Sequence, residues 1–114
     1  FTPLGERILQ EVAVIVKSLP NYVSLEGHTN ALPTSVKDYE DNFALSTKRA
    51  INAKKIFNEN GIYSKQLLAI MGRANNQLKD FKRPYSTENE RIGIIIVRPS
   101  ALPRYKKVVQ DDLF

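Results

Sequence analysis

The sequence predicts an α/β domain with helices packed on one face of a small sheet. Three observations predict it. Two stretches carry apolar residues at helical spacing, Ile8 to Leu19 and Leu45 to Phe57. Three others read as strands, including the run Ile92 to Val97, which is β-branched throughout except for Gly93. The order is helix, strand, helix, strand, short turn, strand, which suits one sheet covered by helices.

The first helix opens at Thr2-Pro3, a hydroxyl cap followed by proline at the first helical position. Its apolar stripe is Ile8, Leu9, Val12, Ile15, Val16 and Leu19. Pro20 stops it by disfavouring helical geometry at Leu19. After the turn at Pro20-Asn21, Tyr22 to Gly27 alternates as a strand, with Val23 and Leu25 on one side. Thr29 to Asp41 is polar, contains Pro33 and reads as a loop, and a loop that long in a small domain is more often functional than idle. A second helix starts at Asn42 or Leu45 and turns Leu45, Ala50, Ala53, Ile56 and Phe57 inward. Asn60-Gly61 supplies its left-handed end, with Ile62 folding back onto it.

Leu67 to Arg73 is the second strand, followed by a basic loop from Ala74 to Tyr85. Ser86 or Thr87 caps a short helical turn, with Thr87 and Glu90 spaced as a capping box. Ile92 to Val97 reads as a buried central strand. The tail beyond Arg98-Pro99, with Arg104-Tyr105-Lys106-Lys107, is expected to be extended or loosely attached, giving a domain over 1–98 and a tail over 99–114. Because the chain opens on Phe1 rather than Met, we expect a fragment whose first strand lies upstream.

Composition bounds the function. A chain of 114 residues with 42% hydrophobic and 25% charged residues supports one domain with a modest core. The absence of cysteine excludes a disulfide scaffold and a thiolate metal site and fits cytoplasm or periplasm alike. No apolar run reaches the ~20 residues of a membrane span. Seventeen Lys and Arg against twelve Asp and Glu leave a charge of +5, which suits a polyanionic partner or an ordinary solvated surface equally. The aromatic among the basic residues of the tail is short and joined to no nucleic-acid-binding motif, so no nucleic-acid partner is expected. His28 is the only histidine; alone it makes a poor metal site and no catalytic triad, and we read it as a structural tie between strand end and loop. Glycines are scattered rather than gathered into a phosphate loop. Neither metal, cofactor nor catalytic residue is expected.

One constellation is specific. Leu25-Glu26-Gly27-His28-Thr29-Asn30 ends a strand and opens a loop. Asn42-Phe43-Ala44-Leu45-Ser46-Thr47-Lys48-Arg49-Ala50 opens the second helix. Together they gather amides, hydroxyls and one guanidinium, an inventory for holding a small anionic group rather than for making bonds. With the helix ending Asn60-Gly61-Ile62, a strand ending in Gly72, and Asn89-Glu90-Arg91-Ile92 before the last strand, this chain resembles the OmpA-like peptidoglycan-binding domain. Within that family it is most similar to the periplasmic part of MotB-type flagellar stator proteins. The Thr2-Pro3-Leu4-Gly5-Glu6 lead-in, the loop ending Tyr39-Glu40-Asp41-Asn42-Phe43, and Met71-Gly72-Arg73-Ala74 favour that branch.

The resemblance implies a two-layer sandwich on a small mixed sheet. It also implies non-covalent binding of the diaminopimelate of peptidoglycan, a homodimer, and a membrane-embedded stator partner joined through an upstream segment. The setting would be the periplasm, tethered to the inner membrane. The ligand residues it implies are Thr29, Asn30, Asn42 and Arg49, with Arg91 in support. Arg49 matches the family arginine, whose planar fork holds a carboxylate in a way lysine cannot imitate. Asn30 departs from the usual Asp and leaves a ligand ammonium a neutral rather than a charged acceptor. The deficit is roughly 1 kcal/mol, or about tenfold in affinity. Glu90 departs from the usual Arg; it either restores the missing negative charge or merely completes the capping box. Two alternatives stand beside stator anchoring: an interaction domain that keeps the fold without the wall ligand, and the wall-binding part of an outer-membrane OmpA or lipoprotein-type protein.

Overall fold

The computed structural model describes residues 1–32 and 41–101. Helix α1 (Pro3–Lys17) begins as the sequence requires, with Thr2 Oγ1 accepting from the Gly5 amide at 3.0 Å. Strand β1 (Tyr22–His28) follows, then helix α2 (Asn42–Glu59), strand β2 (Leu67–Gly72), a 3-10 turn at Thr87–Asn89 and strand β3 (Arg91–Val97). Strand order is β2-β1-β3, with β1 parallel to β2 and antiparallel to β3. Two helices therefore lie on a three-stranded mixed sheet, with α2 serving as the crossover that parallel neighbours need.

The α2 terminus is built as expected. Gly61 takes φ 88°, its amide bonds the Asn58 carbonyl at 3.1 Å, and the Ile62 amide bonds that of Phe57 at 3.0 Å. This double bond pattern satisfies the last-turn carbonyls while Ile62 is buried under the helix end. At the opposite end α2 begins at Asn42, one of the two starts expected, and Asp41 is the cap, its carboxylate accepting from the Ala44 amide at 2.8 Å.

The core gathers Leu9, Ala13 and Val16 from α1, Val23 and Leu25 from β1, Ala53, Ile56 and Phe57 from α2, with Ile62 and Leu67. Only part of the α1 stripe read from sequence is inward. Ile8 and Ile15 are exposed, because the face toward α2 and the sheet runs through Leu9, Ala13 and Val16. At the C-terminal end of α1, Gln66 donates to the carbonyls of Val16 (2.7 Å), Leu19 (3.3 Å) and Asn21 (3.0 Å).

Among the described strands the central one is β1, not β3. Among the described residues β3 has a neighbour on one side only, and Ile95 and Ile96 are 36% and 45% exposed. Its apolar run reflects one inward face, Ile92 and Ile94, and one edge left open. Glycine has a clear purpose at position 27: a Cβ there would collide with the Ser46 carbonyl oxygen and lie 3.3 Å from the Ala50 nitrogen. Bare backbone thus lets α2 lie directly on β1. Pro99–Ala101 forms a second 3-10 turn, and the rest of the expected tail, Arg104-Tyr105-Lys106-Lys107 included, lies outside the described residues, as does 33–40 of the first loop.

Candidate functional site

The close seating of α2 on β1 puts Arg49 beside the end of the central strand. Its Nη1 donates to the His28 carbonyl and its Nη2 to Glu90 Oε1, both at 3.3 Å. The two side chains are 27% and 34% exposed. They stand at the lip of a hollow of about 300 Å³ whose remaining walls are chiefly apolar, among them Phe1, Ile8, Leu9, Ile92 and Ile94.

Glu90 is therefore not part of a capping box. Ser86 caps the 3-10 turn, accepting from the Glu88 amide at 3.2 Å, and Glu90 follows the turn in extended geometry with its carboxylate on Arg49. The backbone leaving the turn, rather than its start, sets the direction of this side chain.

The other expected site residues join the loops to one another. Thr29 is buried; its hydroxyl donates to the Asn30 carbonyl at 2.9 Å and its amide to that of Ala74 at 2.9 Å. Asn30 is also buried, with Oδ1 accepting from the Leu32 amide at 3.1 Å and Nδ2 donating to the Tyr85 carbonyl at 3.3 Å. Asn42 Nδ2 donates to the Leu32 carbonyl at 3.2 Å. Arg91 reaches the carbonyls of Asn89 (3.1 Å) and Gln77 (2.7 Å) and borders the hollow. Arg49 and Arg91 are thus brought to the hollow, while Thr29, Asn30 and Asn42 do not line it and instead tie the ends of the first loop to their neighbours.

Two supports escape a reading by spacing. Asn89 is fully buried and organises the second loop: its Oδ1 accepts from the Asp80 amide at 2.8 Å and its Nδ2 donates to Arg83 O at 2.9 Å, with longer contacts to Asp80 and Pro84. Its place in Asn-Glu-Arg-Ile was the available signal, but a ligand motif and a loop hub look alike in sequence. Ser46, also buried, accepts from the Ala74 amide at 2.9 Å and donates to the Phe43 carbonyl at 3.0 Å. It helps hold Ala74 at φ 52°, a left-handed conformation uncommon for a residue other than glycine.

On the sheet face away from α2, Glu26 binds Arg73 through Oε1, at 3.1 Å from Nε and 2.8 Å from Nη2. Its Oε2 lies 3.5 Å from His28 Nε2. The side chain of His28, expected to tie strand end to loop, meets Glu26 instead, and its Nδ1 is buried without a hydrogen-bond partner among the described residues. Burial and the nearby Arg91 and Arg73 hold the His28 pKa below its ordinary value, with Glu26 opposing them. The unfolded chain then takes up this proton near pH 6.5 while the folded chain resists it, so stability is lost as pH falls below about 6.5 and is unaffected above. In thermal melts between pH 7.5 and 5, the wild type is expected to lose stability more steeply than His28→Gln; parallel slopes would show that His28 contributes nothing.

Among the described residues no group of three or more His, Cys, Asp or Glu is arranged to hold a metal ion, and no helix is long and apolar enough to cross a membrane. Comparison with known proteins agrees with the architecture. The chain is 32% identical over 99 residues to LafU of Escherichia coli K12, described as a truncated flagellar export/assembly protein, covering 87% of this chain and 46% of that one. It is 29% identical over 101 residues to motility protein B of Escherichia coli K12, covering 87% and 32%. The chain thus spans less than half the length of these curated relatives. The crystallised C-terminal domain of Helicobacter pylori MotB superposes with a TM-score of 0.75 at 15% identity, covering all of this chain and 89% of that one, which shows a shared fold. Residues 1–91 match the OmpA family, and with the helices, mixed sheet and loop ends described above, this chain belongs to it.

Proposed function

We propose that this domain binds peptidoglycan non-covalently and anchors a flagellar stator to the cell wall from the periplasmic side of the inner membrane. Arg49 is the residue that grips the ligand, through a carboxylate of the diaminopimelate in the stem peptide. The observation that carries this reading is the guanidinium itself, fixed by the His28 carbonyl at the lip of the hollow with three of its five N–H donors still available among the described residues. Arg91 borders the hollow in support, and Thr29, Asn30 and Asn42 tie together the ends of the first loop. Membership of the OmpA family and similarity to motility protein B support both the ligand class and the stator context. The domain works by binding rather than by catalysis. The same reading includes a homodimer and a membrane-embedded stator partner.

Sedimentation with insoluble peptidoglycan across a salt series tests the reading. Specific binding is expected to persist at moderate salt, whereas adhesion by the +5 charge alone fades as the screening length shrinks from about 10 Å at 0.1 M toward 3 Å at 1 M. Wash-off in step with screening would favour the second reading, an interaction domain that keeps the fold without the wall ligand. The feature that favours this alternative is the Glu90 carboxylate already seated on Arg49.

A further inference from the structure

The anchoring reading leaves one half of the ligand unaccounted for. A diaminopimelate end carries an ammonium beside its carboxylate, and Asn30, the position expected to receive it, is buried with both ends of its amide engaged by Leu32 and Tyr85. The negative group that does stand at the hollow is Glu90. One of its oxygens accepts from Arg49, and the other has no hydrogen-bond partner among the described residues. Arg49 and Glu90 present opposite charges side by side, each about a third exposed or less, above an apolar floor.

We propose that Glu90 is the ammonium-binding and specificity-determining residue of this site, so that Arg49 and Glu90 form a clamp for an amino-acid zwitterion. The inference rests on Arg49 being the carboxylate-holding residue. A part-exposed ion pair joined by a single 3.3 Å contact is weakly held and opens at little cost. A ligand with a carboxylate alone meets Glu90 as a competitor for Arg49 and as a like charge. A ligand with both charges places its carboxylate on Arg49 and its ammonium on Glu90, replacing one weak pair with two, while its aliphatic stem lies on Ile92 and Ile94. The clamp therefore selects the free amine, and Glu90 restores from the second loop the charge that Asn30 lacks.

The test is a calorimetric titration with a diaminopimelate-containing muropeptide and with the same muropeptide N-acetylated on its free diaminopimelate amine. Wild type, Glu90→Gln and Arg49→Ala are compared, with thermal melts confirming that each is folded. Wild type is expected to prefer the free amine by about tenfold. Glu90→Gln is expected to keep binding but lose that preference, the two probes converging on one affinity. A preference that survives Glu90→Gln, or a variant that binds both probes more tightly by the same factor, would overturn the clamp and leave Glu90 outside the site or a mere competitor. Arg49→Ala separates the two levels: if it leaves both affinities unchanged, the anchoring site itself is misassigned and the clamp fails with it. Failure of folded wild type to bind either probe overturns both.

Discussion

Replacing Arg49 with alanine is expected to weaken binding of a diaminopimelate-containing muropeptide by about ten- to a hundredfold. Charged hydrogen bonds contribute roughly 1.5–3 kcal/mol each, and in the proposed site this residue supplies the fork for the ligand carboxylate. Arg49→Lys is expected to recover little of the loss, since an ammonium keeps the charge but not two parallel donors at fixed spacing. The folded domain tolerates the change better than the ligand does. What is lost internally is a part-exposed ion pair with Glu90 and one bond to the His28 carbonyl, together about 1–2 kcal/mol. Calorimetry on both variants, beside their melting curves, separates a loss of grip from a loss of fold. Wild-type affinity in Arg49→Ala would move the site elsewhere on the domain.

The second large effect is structural. Gly27→Ala is expected to cost about 3 kcal/mol, because the added methyl meets main chain rather than a side chain that could swing away. For a domain of this size that is a fall in melting temperature of about 10–20 °C. Relief requires lifting α2 from β1, which carries Arg49 away from the His28 carbonyl, so binding is expected to weaken together with stability. Gly93→Ala is the control: its Cβ would come no closer than 3.4 Å to His28 and lie 3.6 Å from Glu26, ordinary contacts. Equal melting curves for the two variants would show that helix and strand are not held at their minimum separation.

Elements governed by local chemistry were legible in the sequence. The Thr2-Pro3 opening and the Asn60-Gly61-Ile62 ending depend on residues within a few positions of one another, whereas the alternation read in β1 does not show as burial, since Val23 to His28 are all buried. Family resemblance singled out Arg49 and Arg91, both of which border the hollow. What escaped were consequences of long-range placement. A β-branched run looks the same in a central strand as in an edge strand with one buried face, and only the pairing β2-β1-β3 decides between them. Gln66 satisfies the end of α1 from 45 to 50 positions away. Glu90 fitted a local capping pattern with Thr87, yet Ser86 took that place and the carboxylate turned to a helix 41 residues earlier in the chain. Asn30 kept the position of the family Asp but closed on the Leu32 amide and the Tyr85 carbonyl, a choice visible only once the two loops are seen to touch.

The place of β1 between its two partners has a bearing on how the domain is made. One side of β1 is completed by β2 after a single helical crossover, but the other waits for β3, whose residues pair with it from 63 to 75 positions along the chain. Contacts so distant in sequence slow folding, since the loop must close before they can form. During synthesis the helices and the β1–β2 pair emerge before β3, leaving one backbone edge of β1 unpaired until it arrives. The pairing β2-β1-β3 and the Glu90 side of the hollow both wait for β3, so the proposed site is assembled only once that strand has joined β1.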